Sequence, residues 1–151
     1  MGLTQVERAV VLVIPPGALE FGVPGKGVSG NRMNRIGGGR HYRNPDYKLY
    51  RDRVYAVAFA NVMRSRFRVH GYCAVHFTFW NTQFDVLDNA PKPVSDAVNG
   101  VVWEDDRYVL RSLSEKRKDK GGPRVELTIY PIDGREFGYS EAPPVKRVPK
   151  P

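Results

Sequence analysis

Apolar residues along this chain follow two different repeats, and the switch between them marks out the elements. Val6 to Ile14 is rich in valine and is stopped by Pro15-Pro16, which predicts a β-strand. From Asp46 to about Ser65, Tyr47, Tyr50, Val54, Val57 and Ala58 recur at three- and four-residue steps, with Lys48, Arg51, Arg53 and Arg64 mostly elsewhere. That spacing predicts an amphipathic helix, and Asn44-Pro45 supplies its start. Gly71 to Trp80 alternates Cys73, Val75, Phe77 and Phe79 with Ala74, His76, Thr78 and Trp80. Both sets tolerate burial, so the segment predicts a strand in the middle of its sheet. Pro93 to Asn99 predicts a short second helix ended by Gly100. Arg107 to Leu113 and Arg124 to Tyr130 predict an antiparallel pair across the charged turn Glu115 to Gly122.

Glycine and proline interrupt these repeats. Residues 17–41 hold Gly-Val-Pro-Gly-Lys-Gly and Gly37-Gly38-Gly39, where fixing one backbone shape is entropically costly, and they predict a long mobile basic loop. The proline-rich, basic tail 141–151 is expected to be disordered. The elements add up to one α+β domain over residues 1–140: a mixed or antiparallel sheet of four to five strands with two helices packed on it. A chain of 151 residues is long enough to bury such a core without disulfides, and its single cysteine, Cys73, forbids an internal one. No apolar run is long enough to span a bilayer, so a cytoplasmic protein without a membrane partner is the default expectation.

Charge changes the picture from fold to chemistry. The net charge of +8 favours an anionic partner. Residues 26–68 carry eleven Lys/Arg against two acids, and residues 107–124 carry seven against two. Between those arms, residues 83–106 hold six acids (Asp85, Asp88, Asp96, Glu104, Asp105 and Asp106) around the single base Lys92. Carboxylates crowded together repel, and a divalent cation is the simplest partner that settles the cost. His41, His70 and His76 are scattered and cannot build a zinc cluster with one cysteine, so the expected cation is hard and oxygen-bound, Mg²⁺ with Mn²⁺ as a substitute. A cationic rim around an acidic pit is what a metal-dependent nuclease needs: the rim gathers phosphates and the pit attacks one. No phosphate-binding Gly-rich motif and no small-molecule cofactor site is evident, since Gly22-x-x-Gly25-Lys26 lacks the required spacing. Asn31, Arg32, Arg35, Arg40 and Arg43 cluster with the glycines and are the candidate DNA contacts.

Three segments carry a resemblance to a known family. Asp88-Asn89-Ala90-Pro91-Lys92, then Asp96-Ala97, then Trp103-Glu104-Asp105-Asp106 resemble the RusA family of Holliday junction resolvases. The likeness extends upstream to Ser29-Gly30-Asn31-Arg32, Arg40 and Tyr50-Arg51-Asp52, and downstream to Gly122 to Leu127, covering roughly residues 9–130. The resemblance implies a homodimer that binds four-way DNA and nicks symmetric strands with Mg²⁺ held by aspartates, in recombination, repair or phage replication in a bacterial cell. It implies essential carboxylates at Asp88 and Asp106, Asp105 beside them, and Lys92 as the essential basic residue. The family pattern has one residue between its first two aspartates, whereas here Val86 and Leu87 separate Asp85 from Asp88. Three apart on a strand, the two would face opposite ways, so a bulge or an early strand end is expected to return Asp85 to the site as a further metal ligand. Two alternatives stay open: a branched-DNA-binding protein with weakened or no cleavage, and a broader flap or fork nuclease. A plainer account makes Asp88 a helix cap and Lys92 its surface partner.

Overall fold

The structure, a computed structural model, describes residues 17–30, 34–37 and 40–144, and the strand expected over Val6 to Ile14 lies outside them. Six strands and two helices follow in the order β1 (Leu19–Pro24), β2 (Asn34–Gly37), β3 (Arg40–Arg43), α1 (Pro45–Ser65), β4 (Cys73–Trp80), α2 (Pro91–Val98), β5 (Val109–Arg117) and β6 (Arg124–Pro131). Four strands form one mixed sheet in the order β1-β6-β4-β5, and β2 and β3 form a separate antiparallel pair. The fold is α+β, as the periodicities predict.

β4 sits inside the sheet for the reason its sequence gives. Cys73, Ala74, Val75, Phe77, Thr78 and Phe79 are all buried, on both faces of the strand. It pairs antiparallel with β6, Phe77 opposite Leu127, and parallel with β5, Phe77 opposite Ser114. This corrects the expectation that β5 and β6 pair with each other. They run antiparallel, but the strand that tolerates burial on two faces takes the place between them, and half-exposed β5 is left at the edge. A parallel neighbour needs a crossover, and the chain supplies one in residues 81–108, which hold α2 and a 3-10 turn over Asp106–Tyr108.

The loop expected over residues 17–41 is also corrected. Leu19, Phe21 and Val23 alternate with exposed neighbours and are buried against β6, Phe21 opposite Leu127. Glycine and proline hid this period-two signal, because Gly22 lies at an outward position where no side chain is needed. Gly37 and Arg40 flank the hairpin between β2 and β3.

α1 begins where Asn44 accepts a hydrogen bond from the Asp46 amide at 3.0 Å, with Pro45 in the first turn, and ends at Arg66 in a left-handed conformation. Its buried Tyr50, Val54 and Ala58 meet Val94, Ala97 and Val98 of α2 and the inward residues of the sheet in one core. Glu141 to Pro144 is described: the Glu141 carbonyl accepts the Gly134 amide, and Pro143 lies against Gly71. Residues 145–151 lie outside the described set.

Candidate active site

Strand β4 stops before it reaches the acids. Asn81 adopts a left-handed backbone, and its side-chain amide donates to Asp119 Oδ1 at 2.8 Å and to the Gly121 carbonyl at 2.9 Å. The chain turns there, and residues 86–90 are a continuous run of turn. Asp85 organises that run. Its carboxylate accepts the amides of Asp88 at 2.9 Å and Asn89 at 3.3 Å, and the Asn89 side-chain amide at 2.5 Å. These donors, Asn89 first, hold its carboxyl below the usual aspartate range. The strand does end early, and the turn that follows engages Asp85 with its own amide partners.

Asp88 is presented differently. Its carbonyl accepts the Lys92 amide at 3.0 Å, leading into α2, while its exposed carboxylate has no hydrogen bond or ion pair among the described residues. The cap position of α2 is Ala90, and no side chain caps the helix, so the capping role in the plainer account of Asp88 is not the one found.

From α2, Lys92 Nζ lies 3.5 Å from Asp96 Oδ2. That oxygen also accepts the hydroxyl of fully buried Tyr47 at 3.0 Å, tying α1 to α2 behind the lysine. The Tyr47–Asp96 pair is 49 residues apart in the chain and no local pattern announces it.

The second acidic segment is anchored by Trp103. Its indole is buried to 1 % exposure, and its Nε1 donates to Asp106 Oδ1 at 2.7 Å. A buried tryptophan therefore fixes the turn that carries Asp106. Asp105 caps the 3-10 turn: it accepts the Arg107 amide at 3.0 Å and the guanidinium of the same residue at 3.0 and 2.7 Å. Glu104 faces elsewhere, accepting the Gly71 amide at 3.1 Å beside His70.

Asp88, Lys92, Asp96 and Asp106 line one cavity of about 420 Å³, with Phe77 and Trp103 among its apolar walls. Asp85 and Asp105 are not part of that lining. The structure thus brings together Asp88, Asp106 and Lys92, adds Asp96, and turns the other two expected ligands toward their own hydrogen bonds. Cys73 lies close enough to feel Asp106: burial, helped by that negative charge, pushes its thiol up to about 12, which leaves it inert.

The cavity donors are hard. Its lining has three carboxylates, one of them already engaged by Tyr47 and Lys92, and no histidine or cysteine. Among the described residues no group of three or more His, Cys, Asp or Glu is placed to hold a metal ion. Asp88 and Asp106, the latter with one oxygen held by Trp103, nevertheless suit a hard divalent cation such as Mg²⁺, which commonly takes one or two carboxylates from protein and completes its shell with water and substrate phosphate.

A second cavity of about 560 Å³ runs along the same turn, lined by Phe84 and Ala90 together with Lys26, Arg53, Trp80 and Arg124. The backbone strap that joins the basic segment to the acidic turn is the Gly30 amide donating to the Asn89 carbonyl at 2.9 Å. At Gly30 a Cβ would stand 3.2 Å from that of Lys92, so close an approach favours glycine. Arg35 lies on β2, and Arg40 and Arg43 on β3, just beyond this strap. Asn31 and Arg32 lie outside the described residues.

A family model described as Endodeoxyribonuclease RusA matches residues 24–130, more than two thirds of the chain and all of the cavity. The match opens at Pro24, the last residue of β1, shortly before Ser29-Gly30. No curated protein gives a significant match. With its acidic crossover, its mixed sheet and this match, the chain belongs to the RusA family of endodeoxyribonucleases.

Proposed function

We propose that the protein is a divalent-metal-dependent endonuclease that resolves four-way DNA junctions by paired symmetric nicks, working as a homodimer. The observation that carries this reading is the convergence of Asp88, Asp106 and Lys92 on one cavity. In it, Asp88 and Asp106 would hold the cation, Mg²⁺ with Mn²⁺ able to substitute. Bound there, such an ion would supply an acidified water and neutralise charge on the scissile phosphate.

The remaining work belongs to the chain. Lys92 sets a positive charge beside the same phosphate, where charge grows during cleavage, and Asp96 keeps its ammonium from drifting to solvent. Trp103 fixes one oxygen of Asp106 and leaves the other to the cavity. Asp85 and Asp105 shape the turns that carry the two working carboxylates. The basic segment with Asn31, Arg32, Arg35, Arg40 and Arg43 follows the DNA backbone, and the second cavity receives the strand beside the cleaved one. A two-fold assembly matches a nearly two-fold substrate and allows both strands to be cut. No helix among the described residues is long and apolar enough to cross a membrane.

One observation favours a second reading, a branched-DNA-binding protein that does not cut: Asp85 is held away from the cavity, which leaves few ligands. Incubation of a synthetic four-way junction with the protein and Mg²⁺ separates the two. Paired nicks that EDTA abolishes are the expected result, and retarded junction without product would establish the second reading. Equal cutting of flaps and forks would widen the substrate class.

A further inference from the structure

The two faces of β5 differ. On one, Glu115 Oε1 lies 3.0 Å from His76 Nε2 and 3.3 Å from Arg117 Nη2, so the charges there are answered within the protein. The other carries Ser112, Ser114 and Lys116, which stand opposite Val75, Phe77 and Phe79 of β4. Those three neighbours belong to the buried core, and a strand that continued the core would place apolar residues beside them. A polar row stands there instead. Ser112 and Lys116 are exposed and Ser114 is partly buried, and none of the three side chains has a hydrogen bond or ion pair among the described residues.

The row begins inside the acidic cavity. Ser112 lines it together with Asp88, Lys92 and Asp106, and Phe77, the neighbour of Ser114, is another of its walls. From Ser112 onward, side chains on one face of the strand advance by roughly 6.5 Å at each second residue, a step comparable to that between neighbouring phosphates of one DNA strand. β5 is the edge of its sheet, so no described strand lies on its outer side.

We propose that this row seats the cleaved DNA strand on one side of the scissile phosphate, with Ser112, Ser114 and Lys116 each holding one of three successive phosphates. Serine hydroxyls and a lysine ammonium are groups that fix the register of a strand without reading its bases. Their order along β5 also fits. The hydroxyls come first, within or next to the cavity that already holds Lys92. Lys116 lies about 13 Å further along, more than a Debye length at physiological salt, where a phosphate needs a counter-charge of its own. Held in this way, the strand cannot slide past Asp88 and Asp106, which makes the three positioning residues. The inference rests on the junction-cutting reading and assigns a surface to the strand that is cut; the second cavity, to which β5 contributes no residue, remains for its neighbour.

Gel-shift titration of a four-way junction, with Ca²⁺ in place of Mg²⁺ so that binding is read without cutting, tests it. Lys116→Gln is expected to lower the salt slope of binding by about one. Ser112→Ala and Ser114→Ala are each expected to weaken binding by about threefold to tenfold. Melting temperatures should stay at the wild-type value, because none of these side chains makes a bond in the free protein. Junctions carrying a neutral methylphosphonate at one phosphate at a time then locate the contacts. For each variant there should be one position where the methylphosphonate weakens the wild type and weakens the variant no further, and the three positions should be consecutive. Losses that simply add at every phosphate overturn the proposal, as do matched positions scattered over the junction. An unchanged salt slope in Lys116→Gln overturns it too, and self-association of that variant would make the lysine a guard against edge pairing instead. Mg²⁺ separates the two readings: consecutive contacts without nicks by the wild type would keep the row and end the nuclease reading, whereas nicks without matched contacts would do the reverse.

Discussion

Two short acidic segments build the cavity, and in each of them one aspartate works for the other. In the turn after β4, Asp85 spends its carboxylate on the amides of Asp88 and Asn89, and Asp88 is left facing the cavity. In the turn before β5, Asp105 spends its own on Arg107, and Asp106 is left facing the cavity. The difference lies in what steadies the second residue. Asp106 is held by a buried indole at 2.7 Å, while Asp88 has no side-chain partner among the described residues and depends on the turn beneath it. Neighbouring carboxylates in sequence need not be neighbouring ligands in space. A site can use half of its acids as local scaffolding, because an aspartate is as good at organising a turn as at binding a cation.

The sharpest way to break the comparison is to neutralise the cavity members. Asp88→Asn and Asp106→Asn should each lower junction cutting by about 100- to 1,000-fold, the loss expected when one preorganised charge is removed. Binding should persist or tighten in a gel-shift assay, and joint loss of binding would assign both residues to structure. Lys92→Ala should slow single-turnover cleavage by roughly tenfold to a hundredfold, without altering the salt slope of binding.

The scaffolding members should behave differently. Asp85→Ala should cut about tenfold more slowly, through displacement of Asp88, and should also lower the melting temperature, which Asp88→Asn should not. Acid should reproduce that effect. The Asp85 carboxyl titrates below the ordinary value of about 3.9, so its hold on the turn is complete above that pH and is lost as pH falls through the depressed value. Comparing stability across that range in the wild type and in Asp85→Ala checks the sign; a parallel acid limb in both would remove Asp85 from the account. The smallest change is Trp103→Phe, which keeps the packing and deletes the bond to Asp106. A loss of about threefold to tenfold is expected, since one hydrogen bond to a charged group is worth about 1.5 kcal/mol.

Much of this was readable in the chain itself. α1, β4, α2 and β6 follow repeats of three to four or of two, and Gly100 closes α2 with a positive φ of 77° as its position predicts. β1 was obscured because only three inward residues carry its signal, amid glycine and proline. The β4–β5 pairing was obscured because turn chemistry speaks for sequential neighbours, while the sheet order is decided by which strand can be buried on both faces. At the site, Asp88, Lys92 and Asp106 were legible as a pattern. The job of Asp85 had a local signal in its three-residue lead over Asp88, which suits a side chain bonded to the amides ahead of it. The bond between Tyr47 and Asp96 was not readable, because only the packing of α1 on α2 creates it.

Every charged group that lines the acidic cavity comes from the single crossover between Trp80 and Val109. Such a connection behaves as a cassette. Chemistry can be inherited, exchanged or transplanted together with it, while the strands on either side serve as a socket and the cationic arms, encoded elsewhere, remain free to adapt to new nucleic-acid shapes.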